Sequence, residues 1–168
     1  LCNNHAQPTF EADKAQAVAN VQAILADKPA DMIITTHVCR GNYKSSYLLT
    51  GAYDPVADGL FGQTNYDGYF LEYDDERSGG FEPLKHFVNN KGRVVLGLIS
   101  SKFPELEDKE AIKARIQEAA KYVPLEQLCL SPQCGFASTE EGNVMTEAQQ
   151  WAKVRHVEEI AKEVWGED

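Results

Sequence analysis

His37, Cys39, Glu72 and Cys134 have side-chain types that hold a transition-metal ion, at places where a fold could bring them together. His37 and Cys39 lie two apart at the end of the apolar run 31–39 (DMIITTHVC). On an extended strand that step puts both side chains on one face, as two ligands of one ion require. Glu72 is the first ionisable residue after Tyr69-Phe70-Leu71, and Cys134 lies in the turn Ser131-Pro132-Gln133-Cys134-Gly135. One imidazole, two thiols and one carboxylate make a tetrahedral donor set that suits zinc. The long gaps to Glu72 and Cys134 describe a site assembled by a fold, unlike the tight ligand loops of zinc fingers.

Each residue also has a plainer reading. An H-x-C step is common by chance. Cys134 can be a small buried residue, as free cysteines usually are, and Glu72 can simply begin the charged run Asp74-Asp75-Glu76. Cys129 alternates with Leu128 and Leu130 and reads as core. Cys2 lies at the chain start, and His5, His86 and His156 read as surface or helix-face residues.

The elements that must carry these residues alternate. Residues 12–26 form a helix with Val18, Val21, Ile24 and Leu25 on one stripe, ended by Pro29. The run 31–39 is a buried strand, followed by a long loop with one helical turn. Residues 69–73 (YFLEY) make a second strand, 81–89 a short helix, and 93–101 (RVVLGLISS) the clearest strand. A helix over 105–122 carries Ile112, Ile116, Ala119 and Ala120 inward, and 128–130 is a fourth strand. The last helix, 146–165, buries Ala148, Val154, Val157, Ile160, Ala161 and Val164. Continuous apolar strands alternating with helices indicate a parallel sheet covered by helices. The three places, His37-x-Cys39, Glu72 and Cys134, then fall at carboxyl ends of parallel strands, the rim where α/β proteins place their sites. Four such units fit a small open sheet or half of an eight-stranded barrel.

Composition excludes other classes. The 168 residues carry 16 basic and 26 acidic side chains, a net charge of −10, with 43% hydrophobic and 25% charged residues, as in one globular domain. A pI near 4.8 without a basic stripe argues against nucleic acid as partner. No apolar run reaches the roughly 18 residues of a membrane span, and no signal-peptide pattern opens the chain. Four cysteines in such a chain read as reduced thiols of a cytoplasmic protein. The chain opens at Leu1-Cys2-Asn3 without a methionine, as a fragment or processed product would.

T-T-H-V-C at 35–39, F-L-E-Y at 70–73 with R-S-G-G-F-E-P-L after it, and L-S-P-Q-C-G-F at 130–136 resemble the cobalamin-independent methionine synthase family, including the shorter methionine-synthase-like proteins. The resemblance runs over essentially the whole chain and is to the carboxy-terminal half of the family's catalytic barrel. It implies an α/β fold, the second half of a TIM-type (β/α)8 barrel, with residues 1–168 as one half-barrel segment and the upstream half missing. It implies zinc held by His37, Cys39, Glu72 and Cys134, and transfer of a methyl group from 5-methyltetrahydrofolate polyglutamate to the thiol of homocysteine. Zinc coordination strips the proton from a thiol and holds it as thiolate at neutral pH. Glu72, a weaker ligand than a thiolate, is the one expected to yield to incoming substrate.

The family places a proton-transfer histidine in a V-Y-D-I-H-S-P stretch. Matching it to 97–104 puts Ser100 at its Asp and Lys102 at its His, so that Lys102 stands as the acid; the plainer reading is a solvated strand-end lysine. The first-half residues that hold folate and amino acid have no counterpart here, so the isolated segment is expected to be inactive. A corrinoid-linked methyl donor, another thiol acceptor, or a purely structural fragment are the alternatives. A sheet cut from a barrel is expected to expose an apolar inner face, around residues 94–101, that self-association would cover.

Overall fold

The computed structural model describes residues 7–137 and 139–166, so the expectations for Cys2 and His5 lie outside the described residues. Four parallel strands form one sheet in the order β1 (Thr35–Val38), β2 (Gly68–Glu72), β3 (Arg93–Ile99), β4 (Leu128–Pro132). Strand order that follows chain order, with every neighbour parallel, is the winding of consecutive βα units in a TIM-type barrel; a doubly wound sheet reverses direction partway. The helices are α1 (Phe10–Ala26), α2 (Ala57–Leu60), α3 (Lys109–Ala119) and α4 (Glu147–Trp165), and the stretch Glu82–Phe87 is a 3-10 helix.

Period-two alternation separates the sheet into two unlike faces. Tyr69, Leu71, Val94, Leu96, Leu98 and Leu128 point to the helices and are essentially inaccessible. Between sheet and helices lies an aromatic cluster of Tyr53, Phe61, Tyr69, Tyr73, Phe81 and Phe87, with tilted and edge-on ring pairs. The opposite face carries Thr35, His37, Glu72, Arg93, Cys129 and Ser131 beside Phe70 and Val95. The expected apolar inner face is therefore mostly polar. Val94, Leu96 and Leu98 sit at the alternate positions that the helices cover, and Val95 lies on the other face.

Several boundaries differ from the sequence expectation for identifiable reasons. The first strand is Thr35–Val38 instead of 31–39, with Ile33 78% exposed, because β1 is an edge with one neighbour. The third helix starts at Lys109 instead of 105. Asp108 caps it by accepting the Ala111 N–H, and the Glu107 carboxylate is drawn off to the Ser100 N–H and Lys153. Thr146 forms a capping box with Gln149 before α4. In α4 the buried residues are Lys153, His156 and Ile160, whereas Ala148 is exposed. His156 is thus no surface residue: its Nε2 lies 2.8 Å from the Glu107 carbonyl, while His86 is half-buried. Ile24 of the expected α1 stripe is 71% exposed. Cys129 is half-buried on the polar face, 3.8 Å from Arg93 Nη1, because Leu128 and Leu130 take the helix-facing positions.

At Gly97 the end of β4 comes close against β3. A Cβ there would lie 2.7 Å from the Leu71 carbonyl oxygen and 3.0 Å from Gln133 Cα, both backbone. The register of β3 against β4 also slips between Gly97 and Ile99. The chain leaving β4 passes directly over Gly97. Gly97→Ala is expected to lower the unfolding free energy by about 1–3 kcal/mol in urea denaturation; a loss under a few tenths would show that this packing relaxes freely.

Candidate metal centre

His37 is the third residue of β1, in register with Phe70, and Cys39 follows on the same face. Cys134 comes from the other end of the sheet. Three strand spacings of ~4.8 Å would leave β1 and β4 some ~14 Å apart in a flat sheet. The turn after β4 closes that gap. Gln133 N–H donates to the Ile99 carbonyl at 2.7 Å, and the chain folds back so that Cys134 Sγ lies 3.6 Å from His37 Nε2. The ligand atoms of His37, Cys39 and Cys134 all fall within 4.8 Å of one another. His37 is exposed and both cysteines are half-buried, so the group opens to solvent through a cleft that also involves Phe70 and Gln133.

Electrostatics within this group follow from crowding. The hydrogen bond with Cys134 raises the His37 imidazole, with the nearby Cys134 and Glu72 charges adding to it. The same Cys134 contact, then burial, push the Cys39 thiol well above the ordinary range. The His37 imidazole and the Cys39 thiol thus hold protons that a divalent cation would displace. The donor set fits zinc on chemistry: two soft sulfurs and one imidazole nitrogen, with room for further ligands.

Glu72, the last residue of β2, does not belong to this group of three; it sits beside it among cations. It is wholly buried, which rules out the plainer reading of a solvated charge. Its Oε2 accepts a short hydrogen bond from the Arg40 N–H, and Oε1 lies 3.2 Å from Arg77 Nη2 and 3.5 Å from Lys102 Nζ. Lys102 is 1% exposed, not solvated, and its ammonium lies 3.1 Å from Asp74 Oδ2. Asp74 also accepts from the Ser100 hydroxyl at 2.9 Å. The Arg40 guanidinium stacks on Tyr53, with its carbon 4.5 Å from the ring centroid, and donates to the Gly51 carbonyl. Arg40, Arg77 and Asp74 are not among the residues expected from the sequence. A run such as Asp74-Asp75-Glu76-Arg77 gives no signal of burial, although Asp74 shares the strand-end position of Glu72 two residues on.

Relatives agree with this architecture. A family profile described as "Cobalamin-independent synthase, Catalytic domain" matches residues 2–162. The uncharacterized proteins YxjG and YxjH of Bacillus subtilis (strain 168) are 57% identical over 146 residues and 58% identical over 141. Those alignments cover 87% and 84% of this chain but only 39% and 37% of the relatives, so the chain spans well under half their length. A Listeria monocytogenes structure, provisionally described as a vitamin-B12-independent methionine synthase, matches 92% of this chain and 42% of its own, with a TM-score of 0.71 at 47% identity. A B12-independent methionine synthase from Shewanella sp. W3-18-1, solved with selenomethionine, matches 94% of this chain and 45% of its own, with the same TM-score of 0.71 at 18% identity, which speaks to the fold alone. Among the described residues no helix is long and apolar enough to cross a membrane. Singly wound parallel strands, a His–Cys–Cys group on their carboxyl rim and a profile match over nearly the whole length agree, and the chain belongs to the cobalamin-independent synthase family, within its catalytic domain.

Proposed function

We propose that this segment is the zinc-thiolate half of a cytoplasmic methyltransferase that moves a methyl group from 5-methyltetrahydrofolate polyglutamate to homocysteine, giving methionine. The observation that carries the reading is the convergence of His37, Cys39 and Cys134 within 4.8 Å from opposite ends of the sheet. These three would hold zinc, with Glu72 as the fourth, exchangeable ligand. Bound zinc supplies the positive charge that keeps a substrate thiol ionised at neutral pH.

The chain's own residues do the rest. The exposed side of the cleft, beside His37, admits the thiol. The homocysteine sulfur attacks the methyl carbon, the S–C bond forms as the N–C bond breaks, and the departing nitrogen takes a proton. Lys102 is the residue we assign to that proton, its ammonium oriented by Asp74 and Glu72. Arg40, Arg77 and Lys102 surround Glu72 and hold its carboxylate beside the site, available for ligand exchange.

The share of the relatives that the chain spans, 37–39%, favours placing the folate and amino-acid contacts on a further half-barrel segment, with this segment alone inactive. The test uses a zinc-loaded chain extended to the length of those relatives, assayed for methionine formation from methyl-folate triglutamate or methylcobalamin. Methyl-folate turnover supports the proposal; turnover with methylcobalamin only, or with a thiol other than homocysteine, replaces it.

Zinc affinity should depend on pH with a definite sign. His37 and Cys39 hold their protons more tightly than free side chains do, and binding displaces those protons. Affinity therefore rises with pH and falls on acidification, by about tenfold per pH unit for each proton displaced. Competition titrations with a chelator between pH 8 and 6 check this, and a flat profile would exclude cysteinate ligation.

A further inference from the structure

Asn42 lies three residues beyond Cys39, on the segment leaving β1, and is 7% exposed. Its Nδ2 donates to the Gly135 carbonyl at 2.8 Å and to Ser101 Oγ at 3.1 Å. Its Oδ1 accepts from Asn143 Nδ2 at 3.0 Å. Both amide hydrogens and the oxygen are thus engaged, which fixes the orientation of the amide. Gly135 is the residue after Cys134. On the other side of Cys134, Gln133 Oε1 accepts from the Ser101 hydroxyl at 3.0 Å, and Ser101 is wholly buried. Asn143 closes the frame by donating to the Ser101 carbonyl at 2.8 Å. Besides the backbone bond from Gln133 to Ile99, the turn bearing Cys134 has therefore two side-chain tethers, and Asn42 is the one that runs directly to the segment bearing Cys39.

We propose that Asn42 is a positioning residue that sets the separation of the Cys39 and Cys134 thiols, and thereby the metal affinity of the site. This deepens the zinc reading and rests on it. A metal site gathered from the two ends of an open sheet has no local ring to hold its geometry, so its outer hydrogen bonds must do so. Aspartate at this position has nearly the same shape but presents oxygen to the Gly135 carbonyl, which can only accept, and so turns that tether into a repulsion.

The experiment uses the reduced 168-residue chain with Cys2→Ser and Cys129→Ser, leaving Cys39 and Cys134 as its thiols. Two readouts are taken for this parent and for Asn42→Asp. Cobalt(II) titration follows thiolate charge-transfer absorption and affinity. Dibromobimane, which fluoresces on bridging two neighbouring thiols, reports their separation with no metal present. The expected result is about 10–100-fold weaker cobalt binding, the range for loss of an outer-shell partner, together with severalfold slower bridging and an unchanged circular dichroism spectrum. Asn42→Ala is read in its place if the aspartate variant does not fold. Bridging and cobalt affinity both within twofold of the parent would overturn the proposal. A parent that bridges its thiols but binds no cobalt would sink the zinc reading, and the bridging rates would still decide the role of Asn42 in thiol placement.

Discussion

Replacing Cys134 by serine is expected to abolish stoichiometric zinc retention, with affinity falling by at least about 100-fold, while the chain stays folded. The thiolate is the ligand form of cysteine, and a serine hydroxyl stays protonated at neutral pH, so one anionic donor disappears outright. Little else should change. Cys134 is half-buried in a turn beyond β4, outside the aromatic and aliphatic core, and the turn keeps its tethers through Gln133 and Gly135. The measurement is zinc by elemental analysis after dialysis against a weak chelator, with thermal unfolding in parallel. Equal zinc content in both proteins would remove Cys134 from the site. Cys39→Ser should behave alike, because its sulfur belongs to the same group of ligand atoms.

The second large effect is on stability and concerns Glu72. The metal-free Glu72→Ala chain is expected to lose about 3–5 kcal/mol of unfolding free energy, the scale for removing one partner from a buried ion pair. The carboxylate is wholly buried and faces three cations, Arg40, Arg77 and Lys102; without it, Asp74 opposes Arg77 and Lys102, with Asp75 on Arg77 nearer the surface, and Arg40 loses the carboxylate of its ion pair. The Arg40 N–H would lose its acceptor as well. Adding Lys102→Met should restore part of the loss, since an apolar side chain of similar length removes one stranded charge. Urea denaturation of the chelator-treated single and double variants checks both statements. A loss below about 1 kcal/mol in Glu72→Ala, or strictly additive effects, would show that Glu72 matters only to the metal. Glu72 thus has two separable roles to measure, one as anchor of the cation cluster and one as proposed ligand.

Much of this protein is legible in its sequence, for reasons that are local. Continuous runs such as Val94–Val95–Leu96 and the stripe Ile112, Ile116, Ala119 announce a covered strand and its helix, because burial imposes periods of two and 3.6 on any chain. The same reason puts His37 and Cys39 on one face, and strand ends can be named because turn residues bound the apolar runs. Residues 31–34 read as strand but lie outside it, because hydrophobicity does not reveal which strand will be an edge. The charged residues mislead in the same way. Glu72, Asp74, Lys102, Lys153 and His156 look solvated one at a time, and are buried because each meets a partner far away in the chain.

What the sequence by itself determined is therefore the order of the elements, the family, and which side chains have the chemistry of metal ligands. The tertiary structure decided which of them meet. Cys134 reaches His37 across the width of the sheet because Gly97 leaves room for the returning turn and because Asn42, Ser101 and Gln133 hold it there. These contacts join residues 32 to 97 positions apart, and no periodicity in a sequence encodes such pairings; they exist only once packing has excluded water and made unpaired polar groups costly.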